Sequence, residues 1–199
     1  GYRTFHLEDV FPLLCALADP PRHGTRAGRY PDQLAGVHDW LVARQSPPVR
    51  ALDIGCGVGH GTLELAAVLH DAGCAVNVCV GVTAEPLEVW MATHRQLPHD
   101  LMRMAELRAF APAAEAAFVT GTATSVPCGG SFDLIVCNGL VGGDFLGVDE
   151  SVQAVLGEFR RLLAPGGRVS LANRFHEGTR RKLRRFTELA RGDGWRVEG

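Results

Sequence analysis

The spacing of apolar and polar residues predicts two helices at the N-terminal end of the chain, over residues 7–19 and 32–45. The second helix carries four apolar residues on one face: Leu34, Val37, Leu41 and Val42. A basic loop rich in Gly and Pro separates the two helices. The sequence SPPVR at 46–50 ends the second one, because proline cannot continue a helix. We therefore predict a small helical cap over residues 1–48.

From residue 49 onward, apolar runs of strand length alternate with stripes of helical period. The predicted strands are 49–54, 76–82, 116–123, 132–139 and 167–174, and 195–199 is a candidate for one more. The predicted helices are 61–72, 85–97, 99–110, 149–163 and 178–192. This alternation is typical of an α/β fold with a doubly wound, mostly parallel sheet and helices on both faces. We assign residues 49–199 to this core, whose ligand should lie at the carboxyl ends of the strands.

A glycine-rich loop follows the first predicted strand, in the sequence ALDIGCGVGHGTLELA at 51–66. The loop lacks the Lys and Ser/Thr pair of a nucleotide-binding P-loop. Its G-x-G-x-G spacing also differs from the G-x-G-x-x-G of dinucleotide-binding folds. Three alternating glycines directly after a buried strand are a costly way to build a purely structural turn, because glycine loses the most conformational freedom on folding. The loop is therefore the first candidate for a ligand-binding site.

The segment LDIGCGVGHGT resembles the first motif of the class I S-adenosylmethionine-dependent methyltransferases, which have a Rossmann-like fold. Two later segments follow in the family's order. SFDLIVCNG resembles its fourth strand, and FRRLLAPGGRVSLAN resembles the entry into its fifth. In the latter, proline ends the helix, and Gly166 and Gly167 are expected to take positive φ values. The resemblance covers residues 50 to 175 and implies a methyltransferase that uses S-adenosyl-L-methionine.

The resemblance also implies a set of cofactor-binding residues. The glycine loop would hold the methionyl part and the ribose, with the aspartate at the strand end anchoring the loop. Where the family often has an acidic residue for the ribose hydroxyls, this chain has Thr83, so Glu85 or Glu88 would supply the carboxylate. Both glutamates also suit the first turn of a helix, and this alternative stays open. For the adenine, Gly-Thr-Ala stands where relatives often have Gly-Asp-Ala. The implied residues are Asp53, Gly55, Cys56, Gly57, Gly59, Thr83, Glu85, Glu88, Thr122, Ala123 and Asn138. A degenerate domain that no longer binds the cofactor is the alternative to this set.

Methyl transfer from an activated sulfonium depends mainly on proximity and orientation, so a single catalytic signature is not expected. The resemblance places Asn138 at the transfer site, largely through its backbone carbonyl. Asp144 in the following loop and His176 after the fifth strand are the candidate bases, and imidazole titrates near neutrality. Solvated surface positions are the alternative for both side chains.

In the cap, Tyr30, Arg29 and Arg26 are the candidate substrate-binding residues, because arginines suit a carboxylate or phosphate on an acceptor. His23 belongs to the same loop. His60, inside the glycine loop, is expected to point to solvent or to pack on the cap.

Composition limits the partners of the chain. A net charge of -2 gives no global attraction to nucleic acid or membranes. The absence of a long apolar stretch or a signal-peptide pattern favours a cytoplasmic location. The basic segment RRKLRR at 180–185 spreads its charges around a helix, which favours a solvated face over RNA binding. The six cysteines show no CxxC pair and no zinc-ligand spacing, so buried reduced thiols and no metal are predicted.

A methyltransferase acting on O, N or C of a small molecule, in specialised metabolism, is the leading hypothesis. A protein carboxyl methyltransferase of the chemoreceptor type is one alternative. Two helices favour it, the long first one and the extra one at 99–110, but the acidic pair after the glycine loop is missing. The other alternative is a non-catalytic cofactor-binding or scaffold domain of a larger protein. The sequence runs from Gly1 to Gly199 with no visible seventh, antiparallel strand, which leaves open a truncated core or a piece of a larger polypeptide.

Overall fold

The structure is a computed structural model that describes residues 6–21, 25–44, 48–74, 77–110, 116–142, 146–173 and 177–198. A short 3-10 helix, Leu7–Asp9, precedes the α-helices. The α-helices are α1 Val10–Ala18, α2 Pro31–Ala43, α3 His60–Asp71, α4 Pro86–His94, α5 Leu101–Ala109, α6 Asp149–Leu162 and α7 Glu177–Gly192. The strands are β1 Val49–Ile54, β2 Asn77–Thr83, β3 Ala117–Thr120, β4 Phe132–Asn138 and β5 Leu163–Ala172.

The five strands form one sheet in the order β3-β2-β1-β4-β5, and every neighbouring pair is parallel. The chain runs outward from β1 to β3, then returns to place β4 on the other side of β1. The carboxyl ends of β1 and β4 therefore flank the point where the strand order reverses, which is where doubly wound sheets bind ligands. The predicted α/β, Rossmann-like fold class is confirmed.

Helices cover both faces of the sheet, as the near-continuous apolar strands require. On one face, Leu52 and Ile135 pack with α6 and α7. On the other face, Ala51 and Leu134 pack with α2 and α3. A third apolar cluster joins α1 to α3, α4 and α5. The two N-terminal helices thus pack directly on the layer that carries the glycine loop.

The C-terminal end of the core differs from the prediction made from the sequence. Residues 195–198 form no strand, so the candidate strand at 195–199 is wrong over its described part. The Trp195 side chain instead packs against the large core cluster beside α6.

The PGG turn also differs from the prediction. Gly166 has φ +74, as expected, but Gly167 does not lie in the left-handed region. Gly167 is required for a different reason, because a Cβ there would lie 2.8 Å from the carbonyl oxygen of Asp133. Strand β5 begins before the turn, at Leu163, which pairs with Phe132.

Among the described residues, no helix combines the length and the apolar character needed to cross a membrane.

Candidate donor-binding cleft

The glycine loop leaves β1 at Ile54 and is held against β2 by two hydrogen bonds. The backbone N–H groups of Gly55 and Cys56 both donate to the carbonyl oxygen of Val82, at 2.8 and 3.0 Å. Gly55, Gly57 and Gly59 have φ values of +83, +54 and +91, a region that side chains disfavour. The loop therefore turns sharply and presents bare backbone at the carboxyl edge of the sheet.

The space around these glycines is also closed to side chains. A Cβ on Gly55 would lie 2.9 Å from Leu140 Cδ1, and one on Gly57 would lie 3.0 Å from Thr25 Cγ2. A Cβ on Gly59 would lie 2.8 Å from the ring of Phe118. The loop is thus a cradle whose shape depends on glycine at each of these three positions.

Asp53 anchors the start of α3 to the end of β1. Its carboxylate is buried and accepts a hydrogen bond from the Thr62 hydroxyl at 2.6 Å. The pKa of Asp53 is raised to about 6, mainly by burial and to a smaller extent by the neighbouring Glu64, against the opposing effect of the Thr62 hydrogen bond. Asp53 also lines the cleft described below, together with Glu64.

Asp53 should make the stability of the protein depend on pH. The folded protein holds the Asp53 proton more tightly than the unfolded chain, because its pKa is about 6 against an ordinary value of 3.8. The contribution of Asp53 to stability is therefore fully present at low pH and is lost as the pH rises through 6. Between pH 5 and pH 8, the unfolding free energy of the wild type should fall by about 1.4 kcal/mol relative to Asp53→Asn. Urea unfolding of both proteins at the two pH values measures this difference. A difference that stays constant, or rises with pH, would contradict it.

Thr83 and Glu88 form a buried hydrogen-bonded pair beside the glycine loop. The Thr83 hydroxyl donates to Glu88 Oε2 at 2.6 Å, and both side chains are buried. Glu88 Oε2 lies 4.0 Å from the position that a Cβ on Gly57 would take. Glu85, in contrast, is exposed and makes no side-chain cap on α4. The tertiary structure thus brings Glu88, and not Glu85, to the cradle.

The ends of β2 and β3 meet next to this pair. The Gly121 N–H donates to the Thr83 carbonyl oxygen at 2.8 Å. The Thr122 side chain is exposed, with its hydroxyl 3.3 Å from that of Thr124. Ala123 is half-buried and packs on the core cluster that contains α6. Thr122 and Ala123 therefore follow the carboxyl end of β3, next to the carboxyl end of β2, where Thr83 lies.

A cleft opens between the glycine loop and the N-terminal segment. Its volume is about 550 Å³, counted with its open mouth. From the sheet it is lined by residues that include Asp53, Gly55, Cys56, Glu64 and Asn138. From the N-terminal segment it is lined by Thr25, Arg26, Arg29, Tyr30, Gln33 and Leu34. The structure therefore brings three of the predicted glycine-loop residues, Asp53, Gly55 and Cys56, to the same cleft as Arg26, Arg29 and Tyr30.

The Tyr30 hydroxyl is a buried polar atom of the cleft. It has no hydrogen-bond partner within the part of the chain that the structure describes. The Arg29 guanidinium lies 5.2 Å from the centre of the Tyr30 ring, a cation–π contact that holds the ring. Buried polar groups normally find partners, and the Tyr30 residue lines the cleft.

The segment Thr25–Gly28 crosses the glycine loop as a strap and is tied to the core by polar contacts. The Ala27 N–H donates to Glu106 Oε2 at 3.2 Å, and the Gly28 N–H donates to Glu64 Oε1 at 2.5 Å. The Thr25 hydroxyl lies 3.5 Å from Nδ1 of His60.

His60 itself is fully buried below the strap, and its Nε2 donates to the Arg103 carbonyl oxygen at 3.0 Å. Burial lowers the pKa of His60, which favours the neutral imidazole. His60 therefore packs beneath the cap and does not point to solvent, the second of its two predicted positions.

Asn138 ends β4 at the floor of the cleft, and its side chain makes three hydrogen bonds. Gln33 Nε2 donates to Asn138 Oδ1, and Asn138 Nδ2 donates back to Gln33 Oε1, both at 2.9 Å. The Ala172 N–H also donates to Asn138 Oδ1, at 3.0 Å. Gln33, Thr62 and Glu64 were not among the residues predicted from the sequence. Gln33 is a polar residue on the apolar face of α2, one turn before Val37, and this position could have marked it as a site residue.

Three residues singled out in the sequence lie outside the described residues: Asp144, His176 and His23. Within the described ranges, no three His, Cys, Asp or Glu side chains come together as a metal site.

Comparison with known proteins decides the family. A family model described as a methyltransferase domain matches residues 52–169, which is more than half of the chain. The chain belongs to this methyltransferase family. The match spans the glycine loop, the Thr83–Glu88 pair, Asn138 and the PGG turn. The resemblance to the class I S-adenosylmethionine-dependent methyltransferases is thereby confirmed.

Solved structures of methyltransferases are similar to this chain at low sequence identity. The S-adenosylmethionine-bound CalS10 from Micromonospora echinaspora, an amino pentose methyltransferase involved in calicheamicin biosynthesis, is 20% identical, with a TM-score of 0.49. The match covers 89% of this chain and 61% of that one. DesVI from Streptomyces venezuelae is 19% identical over 85% of this chain and 58% of its own, with a TM-score of 0.48.

A methyltransferase from Geobacter sulfurreducens, in complex with S-adenosyl-L-homocysteine, is 21% identical over 81% of this chain and 54% of its own, with a TM-score of 0.45. The chain thus spans less than two thirds of the length of these solved proteins. No curated protein sequence matches this chain.

The cleft of this methyltransferase domain fits the chemistry of its donor. S-Adenosylmethionine presents a sulfonium, an amino acid end and a ribose with two adjacent hydroxyls. At Gly57 the loop presents backbone alone, because a Cβ there would lie 3.0 Å from Thr25 Cγ2. The carboxyl of Asp53, which lines the cleft, suits a positive charge, and the buried carboxyl of Glu88, beside the glycine loop, offers acceptors for hydroxyls. The unpaired Tyr30 hydroxyl offers one more polar contact.

Proposed function

We propose that this domain binds S-adenosylmethionine and directs its methyl group to O, N or C of a small-molecule acceptor. The observation that carries the proposal is the Thr83–Glu88 pair beside the glycine loop. At the end of β2, Thr83 replaces the acidic residue that relatives often have. Its hydrogen bond holds the Glu88 carboxylate, which lies within 4.0 Å of a Cβ position on Gly57. The chain thus keeps a carboxylate at the cradle, supplied from α4.

The donor would be held along the carboxyl edge of the sheet. Glu88 would accept the ribose hydroxyls, and the glycine loop with Asp53 would hold the methionyl part. Cys56 contributes its backbone, because burial raises the pKa of its thiol and keeps it protonated. Thr122 and Ala123 would lie by the adenine, and the backbone carbonyl of Asn138 would line the transfer point. When bound, S-adenosylmethionine supplies an activated methyl group, so orientation provides much of the rate.

The acceptor would enter beneath the N-terminal strap. Arg26, Arg29 and Tyr30 line this side of the cleft and would suit an acceptor with a carboxylate or phosphate. A cleft lined by the strap and α2 admits a small molecule more readily than a folded protein, which supports a small-molecule acceptor. Asp144 and His176 remain the proposed bases for an acceptor that holds its proton.

Titration calorimetry with S-adenosylhomocysteine tests the proposal on the wild-type protein. We expect binding at a single site with a Kd on the order of 1–100 μM, within the usual range for enzyme ligands. NAD, which also contains an adenosine, is the control ligand and should give no comparable heat. If the folded protein gives no heat with S-adenosylhomocysteine, both the proposed donor site and the proposed methyl transfer are contradicted.

Transfer of a labelled methyl group then separates the acceptor classes. Label from S-adenosylmethionine recovered on small molecules supports the proposal. Label recovered only on protein glutamates would favour a carboxyl methyltransferase instead.

A further inference from the structure

Gln33 connects the N-terminal helix α2 to the ends of two strands of the core. Its side-chain nitrogen donates to Asn138 Oδ1 at 2.9 Å and to the Ser170 hydroxyl at 3.0 Å. Its side-chain oxygen accepts from Asn138 Nδ2 at 2.9 Å. All the hydrogen-bonding groups of this amide except one acceptor lone pair are thus used in three bonds between residues more than 100 positions apart in sequence.

These bonds fix the strand ends that form the floor of the cleft. Asn138 Oδ1 also accepts from the N–H of Ala172, the last residue of β5. Directly after Asn138, the chain turns at Gly139, which has φ +77, and the Gly139 N–H donates to the Ala172 carbonyl oxygen at 2.9 Å. The Asn138 side chain therefore joins β4, β5 and α2 at one point, at a residue that lines the cleft.

We propose that Gln33 is a positioning residue of the donor site, which holds the end of β4 in place by clamping the side chain of Asn138. This inference rests on the proposed function, because Asn138 matters to ligand binding only if the donor occupies the cleft. Gln33 lies on α2 and bonds to the ends of β4 and β5, so it couples the position of α2 to the geometry of the transfer point. Without the clamp, the Asn138 amide can rotate, and the turn at Gly139 loses its fixed anchor.

Gln33→Met is the test variant, because methionine keeps the length and the unbranched shape of the side chain and removes all three hydrogen bonds. Asp32→Asn is the matched control, since Asp32 is the exposed neighbour of Gln33 in the first turn of α2. Should Gln33→Met fail to fold, Gln33→Asn withdraws the amide by one methylene and serves the same comparison.

Two measurements are made on each protein. Hydrogen exchange, read by mass spectrometry, should rise by about tenfold at the ends of β4 and β5, including the Ala172 amide, and stay unchanged in α6. The Kd for S-adenosylhomocysteine, measured by calorimetry, should rise by about tenfold, which corresponds to 1.4 kcal/mol. Asp32→Asn should change neither quantity.

The outcomes separate a positioning role from a structural one. Faster exchange with a Kd within twofold of the wild type would show that Gln33 only docks the cap, and would overturn the proposal. Unchanged exchange would overturn it as well, whatever the Kd. If the wild type does not bind S-adenosylhomocysteine, the proposed function fails and the donor-positioning role with it, while the exchange result still decides whether Gln33 clamps the strand ends.

Discussion

Replacing Glu88 by alanine is expected to weaken the binding of S-adenosylhomocysteine by about 100-fold, or about 2.7 kcal/mol. The carboxylate of Glu88 is buried beside the glycine loop. Each hydrogen bond from a ribose hydroxyl to a charged acceptor is worth about 1.5–3 kcal/mol. Alanine removes those bonds and also leaves the Thr83 hydroxyl without its acceptor at 2.6 Å. Titration calorimetry on both proteins measures the change in Kd.

Glu85→Ala is the matched control for this experiment. Glu85 precedes the same helix, three residues away, but its side chain is exposed. We expect its Kd to stay within twofold of the wild type. If Glu85→Ala instead weakens the binding of S-adenosylhomocysteine and Glu88→Ala does not, Glu85 is the residue that binds the ribose. If neither variant changes the affinity, neither carboxylate belongs to the donor site.

Gly57→Ala should lower the affinity for S-adenosylhomocysteine by more than about 100-fold. Gly57 has φ +54, a conformation that costs an L-residue about 1–2 kcal/mol. Its Cβ would also lie 3.0 Å from Thr25 Cγ2, so either the loop or the strap above it must shift. Both form the walls of the cleft, and the shift therefore removes the shape on which binding depends. Calorimetry gives the affinity, and thermal unfolding shows whether the variant is folded.

Gly73→Ala separates strain from crowding. Gly73 has φ +75 at the end of α3, and a Cβ there would meet no atom within 4 Å. This variant should lose a similar amount of stability from its backbone conformation but bind S-adenosylhomocysteine like the wild type. If a folded Gly57→Ala protein binds as tightly as Gly73→Ala does, the glycine loop is not the donor cradle.

The Thr83–Glu88 pair places a buried carboxylate beside the glycine loop. The resemblance to the methyltransferase family implies an acidic residue at the end of β2. Here that place holds a hydroxyl, and the carboxylate comes from the first turn of α4, one hydrogen bond away. Pro86 at the start of α4 fixes where this turn begins. The site therefore depends on the placement of a helix as well as on a strand end.

Most strands and helices of the fold could be predicted from the sequence, because they depend on local properties of the chain. The alternation of strands and helices follows from apolar periodicity, which is a property of short segments. The parallel sheet then follows from general rules of connection. The glycine loop after the first strand follows from the residue types at 55–59, and the structure adds the positive φ values of Gly55, Gly57 and Gly59. The strand predicted at 195–199 is wrong over its described part. The segment is short, and its apolar Trp195 packs against α6.

By itself the sequence determined the fold class, the family and the glycine cradle, because each depends on residue types at fixed spacings along the chain. Only the tertiary structure decided which glutamate reaches the cradle, why Gly167 is glycine, and that Gln33 binds Asn138. These facts depend on the packing of one segment against another, where a shift of one helical turn changes which side chain arrives. No spacing along the chain records that distance.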